Sequence, residues 1–183
     1  MTCILGIEHA GGVTMAADSF CGGSVVLSLP DAHSKLIVGR QHMFAVAGLN
    51  RVCDVLRHAV EINYDMSGVN LDAYIALNLA TTLREALEKH CPEAAKTPTE
   101  DNNWSVLFAI RGALYWIDSS YNATRFRDGY VALGSGGQVA MGALHATKHH
   151  GGDPEDRARH ALDAAAEHAT GVRRPFIVHT MAP

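Results

Sequence analysis

Cys3-Ile4-Leu5-Gly6-Ile7, a turn at Gly11-Gly12, then Val13-Thr14-Met15-Ala16-Ala17: the fold is decided by this opening stretch. Two apolar runs of strand length, joined by a short glycine turn, predict a β-hairpin. It begins at once, with Thr2 directly after the initiator methionine. A polar, glycine-containing connection from Asp18 to Ser24 leads to Val25-Val26-Leu27, a further strand or an ordered loop. Lys35-Leu36-Ile37-Val38 and Met43-Phe44-Ala45-Val46-Ala47 predict a second hairpin, turning at Gly39 to Gln41.

The period then changes. From Arg51 to Met66 the apolar positions Val52, Val55, Leu56, Ala59, Val60 and Ile62 fall at helical spacing. Ser67-Gly68 interrupts, and Asn70 is placed to cap a second helix carrying Leu71, Ile75, Leu79, Leu83, Ala86 and Leu87 on one face. Cys91-Pro92 ends it, because the residue before a proline is pushed out of the helical region. Thr97 to Asn103 reads as a polar loop. Strands return at Trp104 to Arg111, Ala113 to Asp118 and Tyr130 to Leu133. The turn Gly134-Ser135-Gly136-Gly137 opens a third helix through about Lys148. Asp153-Pro154-Glu155-Asp156 starts a fourth, with a cap, a first-turn proline and acids at the positive end of the helix dipole. Phe176-Ile177-Val178-His179 closes the chain as a strand.

The order is several strands, two helices, several strands, two helices, one strand. Alternating βαβ units are missing from it, which argues against a parallel doubly wound sheet. The expectation is an α+β fold: a four-layer αββα sandwich of two mostly antiparallel sheets, flanked by helix pairs, in a single domain spanning 1–183.

Composition narrows the function. The 183 residues are 48% hydrophobic and 19% charged, with a formal net charge of -4 and no Lys/Arg cluster, which leaves no electrostatic footprint for nucleic acid. The cysteines at 3, 21, 53 and 91 are too dispersed for a metal clip and read as free thiols in a reducing compartment. No basic, apolar leader and no apolar run of about 18 residues is seen, so a cytoplasmic protein is expected. Of the eleven histidines, His149-His150 is the closest pair, but adjacent helix residues do not share a face and no carboxylate stands at zinc spacing. No metal and no cofactor are expected. Gly134 to Gly137 lacks the Gly-Lys-Ser/Thr of a phosphate loop.

A penultimate threonine permits removal of Met1. The product would carry a hydroxyl and a free α-amine on one residue at the end of a strand. The amine has a reference pKa of about 7.7–8.0 and can serve as the base for its own hydroxyl. Cys3 is a competing nucleophile, but it would require the loss of Thr2 and points to the opposite face of the strand.

Thr2-Cys3-Ile4-Leu5-Gly6-Ile7 followed by Val13-Thr14-Met15-Ala16-Ala17-Asp18-Ser19 resembles the opening of proteasome β subunits and of the bacterial HslV peptidase. His33-Ser34-Lys35-Leu36 is similar to their lysine-bearing strand, Phe44-Ala45-Val46-Ala47-Gly48 to the strand and glycine after it, and Gly134-Ser135-Gly136-Gly137 to their Gly-Ser-Gly turn. Glu167-His168-Ala169-Thr170-Gly171 stands where proteasome β subunits have an Asp, then a Ser and Gly. The chain is thereby identified as resembling the N-terminal nucleophile (Ntn) hydrolases of proteasome type, over nearly its whole length.

The resemblance implies a threonine peptidase. Thr2 would be nucleophile and base. Lys35 would disfavour the ammonium form of the Thr2 amine, and Asp18 would hold Lys35. Gly48 would turn its N–H toward the oxyanion, and Ser135, with Glu167 and Thr170, would complete the proton relay. Glu167 and Thr170 depart from the family pattern by a methylene and a methyl, and Asp18 to Lys35 is about one residue longer. Cys21, His33, Val46 and Asn50 are implied as the substrate pocket. The implied partners are other copies of the chain in stacked homo-oligomeric rings of six or seven subunits and an unfolded polypeptide or peptide substrate, with an ATPase unfoldase left open. Two alternatives share the fold: an Ntn amidohydrolase acting on a small amide, and a non-catalytic scaffold subunit like the proteasome α-type chains, which lack the Thr/Lys pair.

Overall fold

In the computed structural model, which describes residues 1–22, 26–28, 34–65, 68–99 and 103–183, the opening stretch is the expected hairpin. Strands β1 (Ile4–His9) and β2 (Gly12–Asp18) pair antiparallel, with Ile4 opposite Ala17. β10 (Tyr130–Leu133) adds to the free edge of β1 and β11 (Phe176–Met181) to that of β2, giving a sheet of order β10-β1-β2-β11. The second sheet has the order β5-β6-β7-β8-β9, from β5 (Leu36–Val38), β6 (His42–Gly48), β7 (Trp104–Ile110), β8 (Ala113–Asp118) and β9 (Ala123–Arg125). Every pairing in both sheets is antiparallel.

Alternation along the strands sorts their side chains into three cores. Between the sheets lie Ile4, Val13, Met15 and Ala17 of the first, against Leu36, Met43, Ala45, Ala47, Leu107 and Ala109 of the second. The opposite faces look outward. Phe44, Val46, Val106, Phe108 and Ile110 pack beneath α1 (Arg51–His58) and α3 (Ala80–His90). Cys3, Leu5, Ile7 and Ala16 pack beneath α4 (Gly137–Ala146) and α5 (Pro154–His168). The inward row of α5, Ala158, Ala161, Leu162 and Ala165, is mostly alanine, so the helix lies close on its sheet. The four-layer αββα sandwich is therefore present as expected.

Four local features differ from the sequence reading. The connection after Asp18 contains a strand, β3 (Phe20–Gly22), paired with β4 (Val26–Ser28); Val25 lies outside the described residues. The first helix stops at His58 rather than running to Met66. Val60 and Ile62 still pack on the core, but the chain there is irregular. Their β-branching and two-residue spacing suit an extended path, which the Asn63 N–H to Tyr74 Oη bond (3.3 Å) and the Tyr64 Oη–His42 Nδ1 bond (2.7 Å) hold in place. The second helix starts where Asn70 caps it, its side chain accepting from the Ala73 N–H at 3.1 Å. After α2 (Leu71–Ala73) it loosens into a π turn over Tyr74–Leu79 before α3, which residue periodicity does not reveal. Short β9 escaped the sequence pattern because three polar-flanked residues carry no period.

Candidate active site

The C-terminal end of β2 delivers Asp18 into the interior, 1% exposed. Its carboxylate is saturated. Oδ1 accepts from the Cys3 N–H (2.9 Å) and from the Lys35 ammonium (2.7 Å), and Oδ2 accepts from the N–H groups of Phe20 (3.0 Å) and Arg173 (3.4 Å). The Asp18 N–H in turn donates to the Cys3 carbonyl at 3.1 Å. Lys35, just before β5, is 2% exposed, so this is a buried ion pair with its remaining acceptor sites filled. Such a pair is destabilised by about 3–5 kcal/mol when one partner is removed, which fixes both side chains in place. Because Cys3 N–H and Lys35 share Oδ1, the ammonium stands one residue from Thr2.

Thr2 precedes β1 and is 4% exposed. The turn after β10 clamps its main chain. Its N–H donates to Ser135 Oγ (3.0 Å), and its carbonyl accepts from the Gly136 N–H (3.2 Å) and lies 3.3 Å from Ser135 Oγ. Ser135 has one hydroxyl proton, so it donates either to the Thr2 carbonyl or to the Thr170 carbonyl at 3.4 Å while accepting from Thr2 N–H. Gly134 makes this approach possible: at φ +92°, a Cβ there would sit 2.4 Å from the Thr2 carbonyl oxygen. The Thr2 hydroxyl donates to the Met1 carbonyl. Met1 itself is 61% exposed, its side chain against Gly171 where any Cβ would collide with it.

Gly48 ends β6 with φ +103°, and a Cβ there would lie 2.3 Å from the Asn103 carbonyl oxygen, so only glycine fits. β6 is tied to the lysine segment two residues earlier, where the Val46 N–H donates to the Lys35 carbonyl at 3.0 Å.

The other sequence-predicted residues are placed less uniformly. Thr170 meets the cluster through its carbonyl on Ser135. The Glu167 carboxylate is exposed and faces Arg174 at 3.7 Å. Cys21 and Asn50 come together, Asn50 Nδ2 donating to Cys21 Sγ at 3.0 Å. Val46 is 2% exposed in the core beneath α1, and His33 lies outside the described residues. Cys3 is buried under α4 and α5 on the opposite face from the inter-sheet core. Burial pushes its thiol up to about 12, Asp18 adding to the rise and Lys35 opposing it. That thiol stays protonated and is a poor nucleophile.

Sequence reasoning missed the contributions made by main chain. The Arg173 N–H on Asp18, the Gly136 N–H on Thr2 and the Asn103 carbonyl beneath Gly48 carry no side-chain signature. The Gly-Ser-Gly-Gly spelling was a signal for the second of these. Among the described residues no group of three or more His, Cys, Asp or Glu is arranged to hold a metal ion, and no helix is long and apolar enough to cross a membrane.

The αββα sandwich of two antiparallel sheets is the Ntn-hydrolase fold, and in it a buried Lys–Asp pair stands one residue from a threonine that precedes the first strand. The sequence profile of the family described as "Proteasome subunit" matches residues 1–172, and the chain belongs to that family. Among solved structures it is similar to BPH of Thiobacillus denitrificans in complex with epoxomicin, with a TM-score of 0.76 and 23% identity over 99% of this chain and 100% of that one. It is also similar to eukaryotic HslV from Trypanosoma brucei (TM-score 0.72, 19% identity, 99% of each chain). Anbu, the ancestral β-subunit from Yersinia bercovieri, superposes with a TM-score of 0.70 at 17% identity over 100% of this chain and 82% of that one. At these identities the likeness is one of fold. No curated protein matches the sequence.

Proposed function

We propose that the chain is a threonine endopeptidase of a self-compartmentalising, proteasome-like ring, with Thr2 as the nucleophile once Met1 is removed. The observation that carries this reading is the buried Lys35–Asp18 pair one residue from a threonine whose nitrogen already rests on Ser135. Loss of Met1 turns that amide nitrogen into an α-amine and frees the Thr2 hydroxyl, which donates to the Met1 carbonyl before removal. The Lys35 charge disfavours the ammonium form, and each pKa unit of that effect is about 1.4 kcal/mol in favour of the neutral base.

The chemistry then runs in two halves. The amine takes the hydroxyl proton as Thr2 Oγ1 bonds to the scissile carbonyl carbon, and the Gly48 N–H supports the oxyanion, a contribution of about 3 kcal/mol. The same proton passes to the leaving nitrogen as the peptide bond breaks, leaving an ester on Thr2. Water, deprotonated by the amine, hydrolyses that ester and restores the hydroxyl. Ser135, bonded to the nitrogen, is the relay between amine and water, with Thr170 holding Ser135 through its carbonyl. Cys21 and Asn50 form a polar rim for the substrate side chain.

The test is intact-protein mass spectrometry of the expressed chain before and after exposure to epoxomicin, an epoxyketone that engages both the hydroxyl and the amine of an N-terminal threonine. The expected result is loss of one methionine and a single adduct mapping to Thr2, absent in Thr2→Ala. Retention of Met1 with no adduct would sink the peptidase reading and favour a scaffold subunit.

A further inference from the structure

Lys35 presents a mechanical problem. It precedes β5, a strand of three residues that among the described residues pairs with β6 alone, at the edge of its sheet. A short edge strand restrains its ends weakly, yet the ammonium must be held within hydrogen-bond distance of one oxygen of Asp18. Two local ties exist: the Lys35 carbonyl accepts from Val46, and Ser34 Oγ accepts from the Leu36 N–H at 3.0 Å. The third comes from another layer. Arg57, in the last turn of α1, donates from Nη2 to the Ser34 carbonyl at 2.7 Å, across 23 residues of sequence. Its side chain is 18% exposed, and its other guanidinium nitrogen faces Asp54 at 3.8 Å.

We propose that Arg57 is a positioning residue for Lys35, pinning the lysine segment from α1 so that the ammonium stays aimed at Asp18 beside the Thr2 nitrogen. The inference rests on the reading of Thr2 as nucleophile. The guanidinium suits the task because its planar fork serves the Ser34 carbonyl and Asp54 at once in a fixed geometry, which a flexible ammonium holds less firmly. Burial pushes the Cys53 thiol up to about 11, and Arg57 and Lys35 both pull against that rise. Since α1 begins just after Asn50, the same helix that carries the pocket rim also steadies the lysine.

Among the described residues, the charged groups next to the Thr2 nitrogen are Asp18 from β2 and Lys35 before β5. The Arg173 guanidinium is drawn off over the Phe20 ring at 5.4 Å, Glu167 and Arg174 face each other at the surface, and the Cys3 thiol is neutral. Slack in Lys35 therefore acts directly on the amine. With the cation less well placed the amine pKa rises, and the acidic limb of the activity profile moves to higher pH.

The test compares the full-length wild type, Arg57→Ala, Arg57→Lys and Asp54→Ala by the pH dependence of the rate at which epoxomicin modifies Thr2. For Arg57→Ala the rate at pH 7 is expected to fall about 10- to 100-fold, with the acidic limb displaced upward by half a pH unit or more. Arg57→Lys should recover part of both effects. Asp54→Ala, which keeps the Ser34 bond, should stay within about twofold of wild type. A lowered rate with an unmoved acidic limb in Arg57→Ala would make the arginine merely structural and overturn the proposal. If Arg57→Ala does not fold, Arg57→Met, which keeps an apolar stem but no donor for the Ser34 carbonyl, decides in its place: an unmoved limb overturns the proposal. A wild type that forms no Thr2 adduct removes the nucleophile reading itself, and this inference with it.

Discussion

Of the residues expected at the site, Asp18 and Glu167 each stand in an ion pair, and the two pairs are physically unlike. On the near side, Asp18 and Lys35 are almost fully buried, 2.7 Å apart, with three main-chain N–H groups completing the carboxylate. On the far side, Glu167 and Arg174 are both more than half exposed, 3.7 Å apart, and Arg174 is shared with Asp163. The first pair cannot readily exchange partners, because among the described residues no other charged side chain is buried. The second competes with water at every moment, and exposed pairs of that kind contribute about 0–1 kcal/mol. A residue's correspondence to a functional position is therefore a weaker guide than its environment.

Breaking the near side should have the largest effect. Lys35→Ala is expected to cost about 3–5 kcal/mol of stability by stranding the Asp18 carboxylate, measured by urea denaturation, and to lower peptide hydrolysis by about 10³-fold or more. A loss of activity under tenfold would show that the buried pair is only a brace. Ser135→Ala sits between the two sides. It removes one bond to the Thr2 nitrogen, and kcat should fall about 10- to 100-fold with KM nearly unchanged, since the serine meets the reacting group and not the substrate.

The cysteines sharpen the same contrast by chemistry. Burial pushes the thiols of Cys3 to about 12, Cys53 to about 11 and Cys91 upward, whereas Cys21 is partly exposed beside Asn50. Iodoacetamide at pH 8 should label Cys21 first and spare the other three in the native protein, because the thiolate is the reactive form. Rapid labelling of Cys3 would mean that the near side opens. The smallest effect is predicted for Glu167→Gln, within twofold in kcat/KM and within about 0.5 kcal/mol in stability. A hundredfold loss there would show that the carboxylate leaves Arg174 during turnover and joins the relay.

The legible part of this molecule was the part written in periodic side chains. The hairpin from Ile4 to Asp18, the caps at Asn70 and Asp153 and the strands at 104–118 follow from spacing and from a few residues with strong local preferences. The helix expected to reach Met66 failed for a related reason: Val60 and Ile62 satisfy a helical and an extended pattern equally, and Tyr64 and Tyr74 chose between them through contacts distant in sequence. The π turn, β3 and β9 are too short or too local to leave a period.

Sequence alone thus determined the layer order, the glycine turns and the presence of Thr2, Asp18, Lys35 and Ser135, because each is a choice of residue type at a chain position. Only the tertiary structure decided which of them meet and how firmly. The saturation of Asp18 by the N–H groups of Cys3, Phe20 and Arg173, the reach of Arg57 to the Ser34 carbonyl and the exposure of Glu167 all depend on main-chain atoms and burial. Every residue carries the same peptide group, so the letters of a sequence do not show where it will point; packing the two sheets and their helices fixes that.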